Sequence, residues 1–123
     1  MDLTLDAPGD HLFIHAVNEQ GIRVNDTVLS VPFILSSQQL IPKWDVESIA
    51  DINEHTLQAV FDLNPEVVLI GTGKMQVFLP PETQMLFYRR NIGFEVMTTD
   101  AACRTFNVLV SEGRKIVAAL LPA

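Results

Sequence analysis

The sequence predicts an α/β protein on the α+β border, layered β/β/α, with an antiparallel meander at its N-terminal end. Three observations lead there. Over roughly the first third, short β-branched and aromatic stretches are separated by turn-forming pairs. Beyond that, segments of helical period alternate with short apolar runs, the pattern of helices returning to one sheet. One of those runs, EVVLIG at 66–71, is apolar and β-branched on consecutive positions. A strand of that kind is buried on both faces, in the middle of a parallel or mixed sheet.

Taken in order, residues 1–10 (MDLTLDAPGD) form an N-terminal arm, with Pro8, Gly9 and Asp10 as turn formers, and residues 11–123 form a single domain. HLFIHAV (11–17) reads as a strand, NEQG (18–21) as a turn, IRV (22–24) as a strand and ND (25–26) as a second turn. TVLSVPFILS (27–36) is β-rich. Pro32 cannot donate to a ladder, so it is expected at an edge or bulge. QQLIPKW (38–44) is a further short extended piece.

The period then changes. Leu57, Val60 and Phe61 fall at helical spacing behind Asn53, a good N-cap, and Pro65 ends that helix. After EVVLIG, PPETQMLFYRRN (80–91) reads as a helix with Pro81 in its first turn and Glu82 near the positive end of the dipole. GFEVM (93–97) is a strand. TDAACRTFNVLVSEG (99–113) is a helix with Ala102, Phe106, Leu109 and Val110 on one stripe and Gly113 as its stop. KIVAALL (115–121) is the last strand.

Composition narrows the function classes. The chain has 123 residues, 8 basic against 15 acidic, for a net charge of −7. Binding to nucleic acid rests largely on Lys and Arg neutralising phosphates, and no run of them occurs, so neither nucleic acid nor an anionic membrane is expected as a partner. One cysteine, Cys103, allows no internal disulfide and is compatible with a reducing compartment. The acidic N-terminus lacks the basic and apolar regions of a secretory signal, and apolar runs are too short to span a bilayer. A cytoplasmic protein is the expectation.

The stretch VVLIGTGKM (67–75) raises the question of phosphate binding. A Walker loop would need glycine at Val68 and Ser or Thr at Met75; a dinucleotide loop would need glycine at Gln76. Neither pattern is complete, and the next helix starts several residues later. The bland reading is that Gly71 and Gly73 let the chain leave a buried strand through a tight turn. That turn still lies at the carboxyl end of a central strand, where open α/β sheets form crevices, so an anion or a partner's backbone could sit against Thr72 and Lys74.

Other constellations are weaker. His11 and His15 lie some 13 Å apart on a strand at about 3.3 Å per residue, without a third ligand at a metal spacing, so no metal site is expected. Cys103 reads as a buried, inert thiol. Arg89 and Arg90 are expected to face solvent. Arg104 and Asn107 lie one turn apart on the last helix, either as a salt-bridged arginine and a solvated amide or as a polar patch beside the turn.

Together, GTG, IGFEVMTTDAACRTFNVLVSEGRKIVAAL and the upstream GIRVNDTVLSVPFIL resemble the Mth938-like family, from about Gly21 to Leu120. The most telling positions are Gly71-Thr72-Gly73, then Met97, Thr99, Ala101-Ala102, Arg104-Thr105, Asn107, Leu109 and Glu112-Gly113-Arg114. The family more often has tyrosine where this chain has Phe106, so a hydroxyl hydrogen bond is lost. These are small bacterial and archaeal proteins, with one mitochondrial branch acting in assembly of respiratory complex I. The resemblance implies a three-layer β/β/α fold with a mixed central sheet, in a family with no established enzymatic activity or cofactor; no catalytic residue, cofactor or metal is expected.

The expected function is a protein-interaction or assembly module with an unknown protein partner. The alternative is a small-ligand or anion binder, or an enzyme, using a crevice at the turn. Either would draw on Gly71, Thr72, Gly73, Lys74, Thr99, Arg104 and Asn107. The strands EVVLIG and GFEVM are expected side by side, so the helix after the second starts where the first emerges, its positive end toward the turn. An exposed apolar patch would favour the partner; an enclosed crevice would favour the ligand.

Overall fold

The computed structural model describes residues 11–122, so the arm expected over residues 1–10 lies outside the described residues. Among the described residues, eight strands and three α-helices form three layers. A three-stranded antiparallel sheet contains β1 (Ile14–Asn18), β2 (Gly21–Val24) and β3 (Thr27–Leu29), in that order. A five-stranded sheet follows, built from β4 (Phe33–Ser36), β5 (Leu40–Ile41), β6 (Val67–Gly71), β7 (Gly93–Met97) and β8 (Ile116–Leu120). Its order is β5-β4-β8-β6-β7. β6 runs parallel to both β7 and β8, whereas β4 is antiparallel to β8 and to β5, so the sheet is mixed.

Local chemistry sets the element ends. In α1 (Glu54–Phe61), the Asn53 side chain accepts from Thr56 N–H at 3.1 Å while the Thr56 hydroxyl accepts from Asn53 N–H at 2.9 Å, a reciprocal cap. The chain leaves α1 through Asn64, at φ 54°, before Pro65. α2 (Pro81–Arg89) has proline at its first position, where the missing N–H costs nothing. α3 (Thr99–Ser111) is capped by Thr98 and ends before Gly113, at φ 78°.

The central sheet separates two cores. One face holds Ile34, Val68, Ile70, Val117 and Ala119 against α1 and α2. The other holds Leu35, Leu69, Ala118 and Leu120 against α3 and the small sheet. The helices are therefore not all in one layer: α3 shares its layer with the meander. Crossover handedness accounts for this. The connections β5–α1–β6 and β6–α2–β7 travel one way across the sheet, and β7–α3–β8 travels back. Right-handed crossovers in opposite directions put their helices on opposite faces. β8 is buried at all five positions and β6 at four of five, as expected of strands covered on both sides.

Two readings of the sequence change. The first strand begins at Ile14 rather than residue 11, because Leu12 N–H goes to the Ser37 carbonyl and Phe13 N–H to the Asn25 side chain instead of a ladder partner. Pro32 is neither at an edge nor in a bulge; it lies in the link where the chain passes from β3 to β4, between the two sheets. Arg90 is exposed, as expected. Its guanidinium sits 4.3 Å from the Phe61 ring centroid and donates to the Leu86 carbonyl.

Candidate functional site

The turn after β6 is tied into three neighbouring elements. Thr72 N–H donates to the Met97 carbonyl at the end of β7, and Leu121 N–H donates to the Gly71 carbonyl beyond β8. Gly73 and Thr99 exchange two bonds: Thr99 N–H to the Gly73 carbonyl at 2.9 Å, and Gly73 N–H to the Thr99 hydroxyl at 2.8 Å. That hydroxyl also donates to the Leu121 carbonyl at 2.7 Å.

Each residue of GTG has a structural reason. A methyl group on Gly71 would stand 2.8 Å from Leu120 Cδ2 and 3.0 Å from Thr99 Cα, so only glycine allows α3 this close. Gly73 has φ +92°, a conformation that side chains disfavour. The hydroxyl of Thr72, itself buried, reaches the Met75 and Met97 carbonyls. Thr99 is fully buried with its hydroxyl engaged on both sides. It builds the site and cannot present its hydroxyl to a ligand.

The other expected residues spread along α3. The start of the helix and the turn enclose a shallow depression of about 420 Å³ with Gly73, Lys74, Thr98 and Asp100 on one side and Val17, Asn18 and Glu19 on the other. Arg104 and Asn107 do not line it. They border a second depression of about 220 Å³ between β1 and α3, which shares only Val17 and Asp100 with the first. Arg104 pairs with Asp100 one turn earlier. Asn107 is not a solvated amide: it binds both backbone groups of Ile14.

The electrostatics do not single out an anion. Asp100 occupies the first turn of α3 and already complements the helix dipole, and Glu19 faces the same depression as Lys74. Cys103 borders the second depression but is 2 % exposed. Burial, assisted by the Asp100 charge and opposed by Arg104, pushes its thiol up to about 12. A further hollow of about 360 Å³ lies at the opposite end of the parallel strands, against Ser36, Gln39, Pro65, Arg114 and Lys115. It contains none of the seven candidate site residues, Gly71, Thr72, Gly73, Lys74, Thr99, Arg104 and Asn107.

Sequence reasoning missed the segment just past the turn. Met75 is 74 % exposed and Phe78 76 %, with Val77 also exposed between them. Gln76 fixes this loop by donating to the Val96 carbonyl of β7 at 2.8 Å. The available signal was three apolar side chains in a stretch with neither helical nor strand period.

Comparison with known proteins places this architecture. The model of a family described as protein of unknown function (DUF498/DUF598) matches residues 14–121. NADH dehydrogenase [ubiquinone] 1 alpha subcomplex assembly factor 3 of Bos taurus is 35 % identical over 113 residues, 90 % of this chain and 61 % of the relative. The chain thus spans about three-fifths of that relative's length. A 13 kDa major membrane protein of Francisella tularensis is 35 % identical over 86 residues, 69 % of this chain and 70 % of that one. The solution structure of a Bordetella pertussis protein, an Mth938-like domain, superposes with a TM-score of 0.82 at 31 % identity, covering 99 % of this chain and 92 % of that one. Among the described residues, no helix is long and apolar enough to cross a membrane. From the family match over residues 14–121 and the shared three-layer fold, the chain belongs to the DUF498/DUF598 family and has the Mth938-like fold.

Proposed function

We propose that this chain is a protein-interaction module of the assembly-factor kind, and that it engages its partner with the Gly71-Thr72-Gly73 turn and the loop that follows. The observation that carries this reading is the exposure of Met75, Val77 and Phe78 directly after a turn fixed by backbone and side-chain hydrogen bonds to β7, α3 and the segment beyond β8. Exposed apolar side chains on a rigid loop cost the free protein solubility and are the usual anchors of an interface. Lys74 sits at the rim of this surface. Relatives named as assembly factors add support, over the part of their length that this chain spans.

The anion-binding alternative draws support only from Lys74 and the start of α3. The Glu19 and Asp100 carboxylates beside them weaken it. The working place we propose is the cytoplasm, without nucleic acid as partner. Because one relative is named a membrane protein, fractionation of the native host is the direct check.

The test is affinity capture from the native host with the wild-type chain and a Met75→Ser/Phe78→Ser variant. A specific partner retained by the wild type and lost by the variant, at equal melting temperature, supports the reading. A partner set unchanged by the variant overturns it.

A further inference from the structure

We infer that β7 is a docking edge, and that the partner supplies an extended peptide segment that adds to it as a sixth strand. This rests on the interaction reading above and specifies its mode.

The edges of both sheets are managed unequally. β5 is two residues long and β3 three, too short to template much pairing. The outer side of β1 is closed where the Asn107 amide takes both backbone groups of Ile14. β7 has five residues and ends the sheet order, with no strand beyond it among the described residues. Its backbone polarity is fixed by register. Gly93 N–H donates to the Glu66 carbonyl, and the Met97 carbonyl accepts from Thr72 N–H, so the odd-numbered residues face β6. Successive residues alternate, so Phe94 and Val96 turn their N–H and C=O outward. The bond from Gln76 to the Val96 carbonyl is made on that outer side. One outward carbonyl is covered by a flexible side chain; the Phe94 groups and Val96 N–H are left at the edge.

The same register states the partner's chemistry. Phe94 and Val96 pack toward the α2 face, where Phe94 stacks on Phe87 and meets Tyr88, itself exposed. Side chains of an added strand on that face would lie against an aromatic, apolar surface. The other face of β7 presents the exposed Glu95 carboxylate, on a chain of net charge −7. The fitting segment is extended, apolar on alternate positions, with a lysine or arginine opposite Glu95.

The experiment pans a phage-displayed library of random ten-residue peptides against the full chain, then measures the selected synthetic peptides by fluorescence anisotropy. Val96→Pro removes an N–H that makes no bond within the sheet; Val96→Ala shortens the same side chain but keeps that N–H. Strand addition requires selected peptides of alternating apolar pattern with a basic residue. They should bind Val96→Ala within about threefold of wild type and Val96→Pro roughly tenfold or more weaker. Failure to select such peptides, or equal binding by Val96→Pro, overturns the inference. A partner captured from the host that is lost with Met75→Ser/Phe78→Ser but kept with Val96→Pro leaves the interaction surface standing and removes strand addition.

Discussion

Asn107 holds Ile14 by both of its backbone groups: Ile14 N–H donates to Oδ1 at 3.0 Å, and Nδ2 donates to the Ile14 carbonyl at 2.7 Å. An amide on α3 thus serves as a ladder partner for a strand 93 positions earlier in the chain. Asn107→Ala leaves two part-buried backbone groups without their partner. Its expected cost is about 1–3 kcal/mol, read as a lower urea midpoint at unchanged m-value. A midpoint equal to wild type would show that the amide is not needed to dock β1.

Thr99 gives a matched pair of substitutions. Thr99→Val removes the hydroxyl that accepts from Gly73 and donates to Leu121, and is expected to destabilise by about 1–3 kcal/mol. Thr99→Ser keeps the hydroxyl and should recover most of that loss. Equal melting temperatures for the two variants would refute the role assigned to the bonds.

Leu69 is fully buried in the centre of β6, within the core that α3 covers. Leu69→Ala should cost about 2–5 kcal/mol, the range for a buried leucine whose cavity does not collapse. Chemical denaturation measures this directly; a midpoint that barely moves would place Leu69 outside a packed core.

Cys103 should resist Ellman's reagent in native buffer and react at once in denaturant. Burial pushes its folded thiol up to about 12, well above the ordinary thiol range. A group whose folded pKa is raised contributes stability that is present below the unfolded pKa and lost as pH climbs toward the folded one. Stability from this group therefore declines between pH 9 and about 12, and Cys103→Ala should flatten that part of the pH–stability curve.

The elements with local signals were legible in the sequence. Asn53 announced the start of α1, Pro81 that of α2, and the run from Val67 to Ile70 a strand buried on both faces. Strand–turn–helix reasoning also brought the GTG turn to the start of α3, where Gly73 and Thr99 are bonded. What could not be read depends on distant partners. The face taken by α3 follows from β8 lying between β4 and β6, a long-range choice. Asn107 looked like a surface amide because nothing near it in sequence reveals Ile14. Residues 75–78 passed as a spacer because residue type alone does not report exposure.

The position of β8 bears on how the molecule is made. The strand that joins β4 to β6 follows every other element in sequence. During synthesis, β4 with β5 and β6 with β7 can each emerge from the ribosome, but they have no common neighbour until residues 116–120 are released. Until then each pair exposes an inner edge along with its apolar faces, the kind of nascent state that chaperones shield. A chain cut short before Ile116 loses the shared wall of both cores, so premature termination there abolishes the fold rather than trimming it.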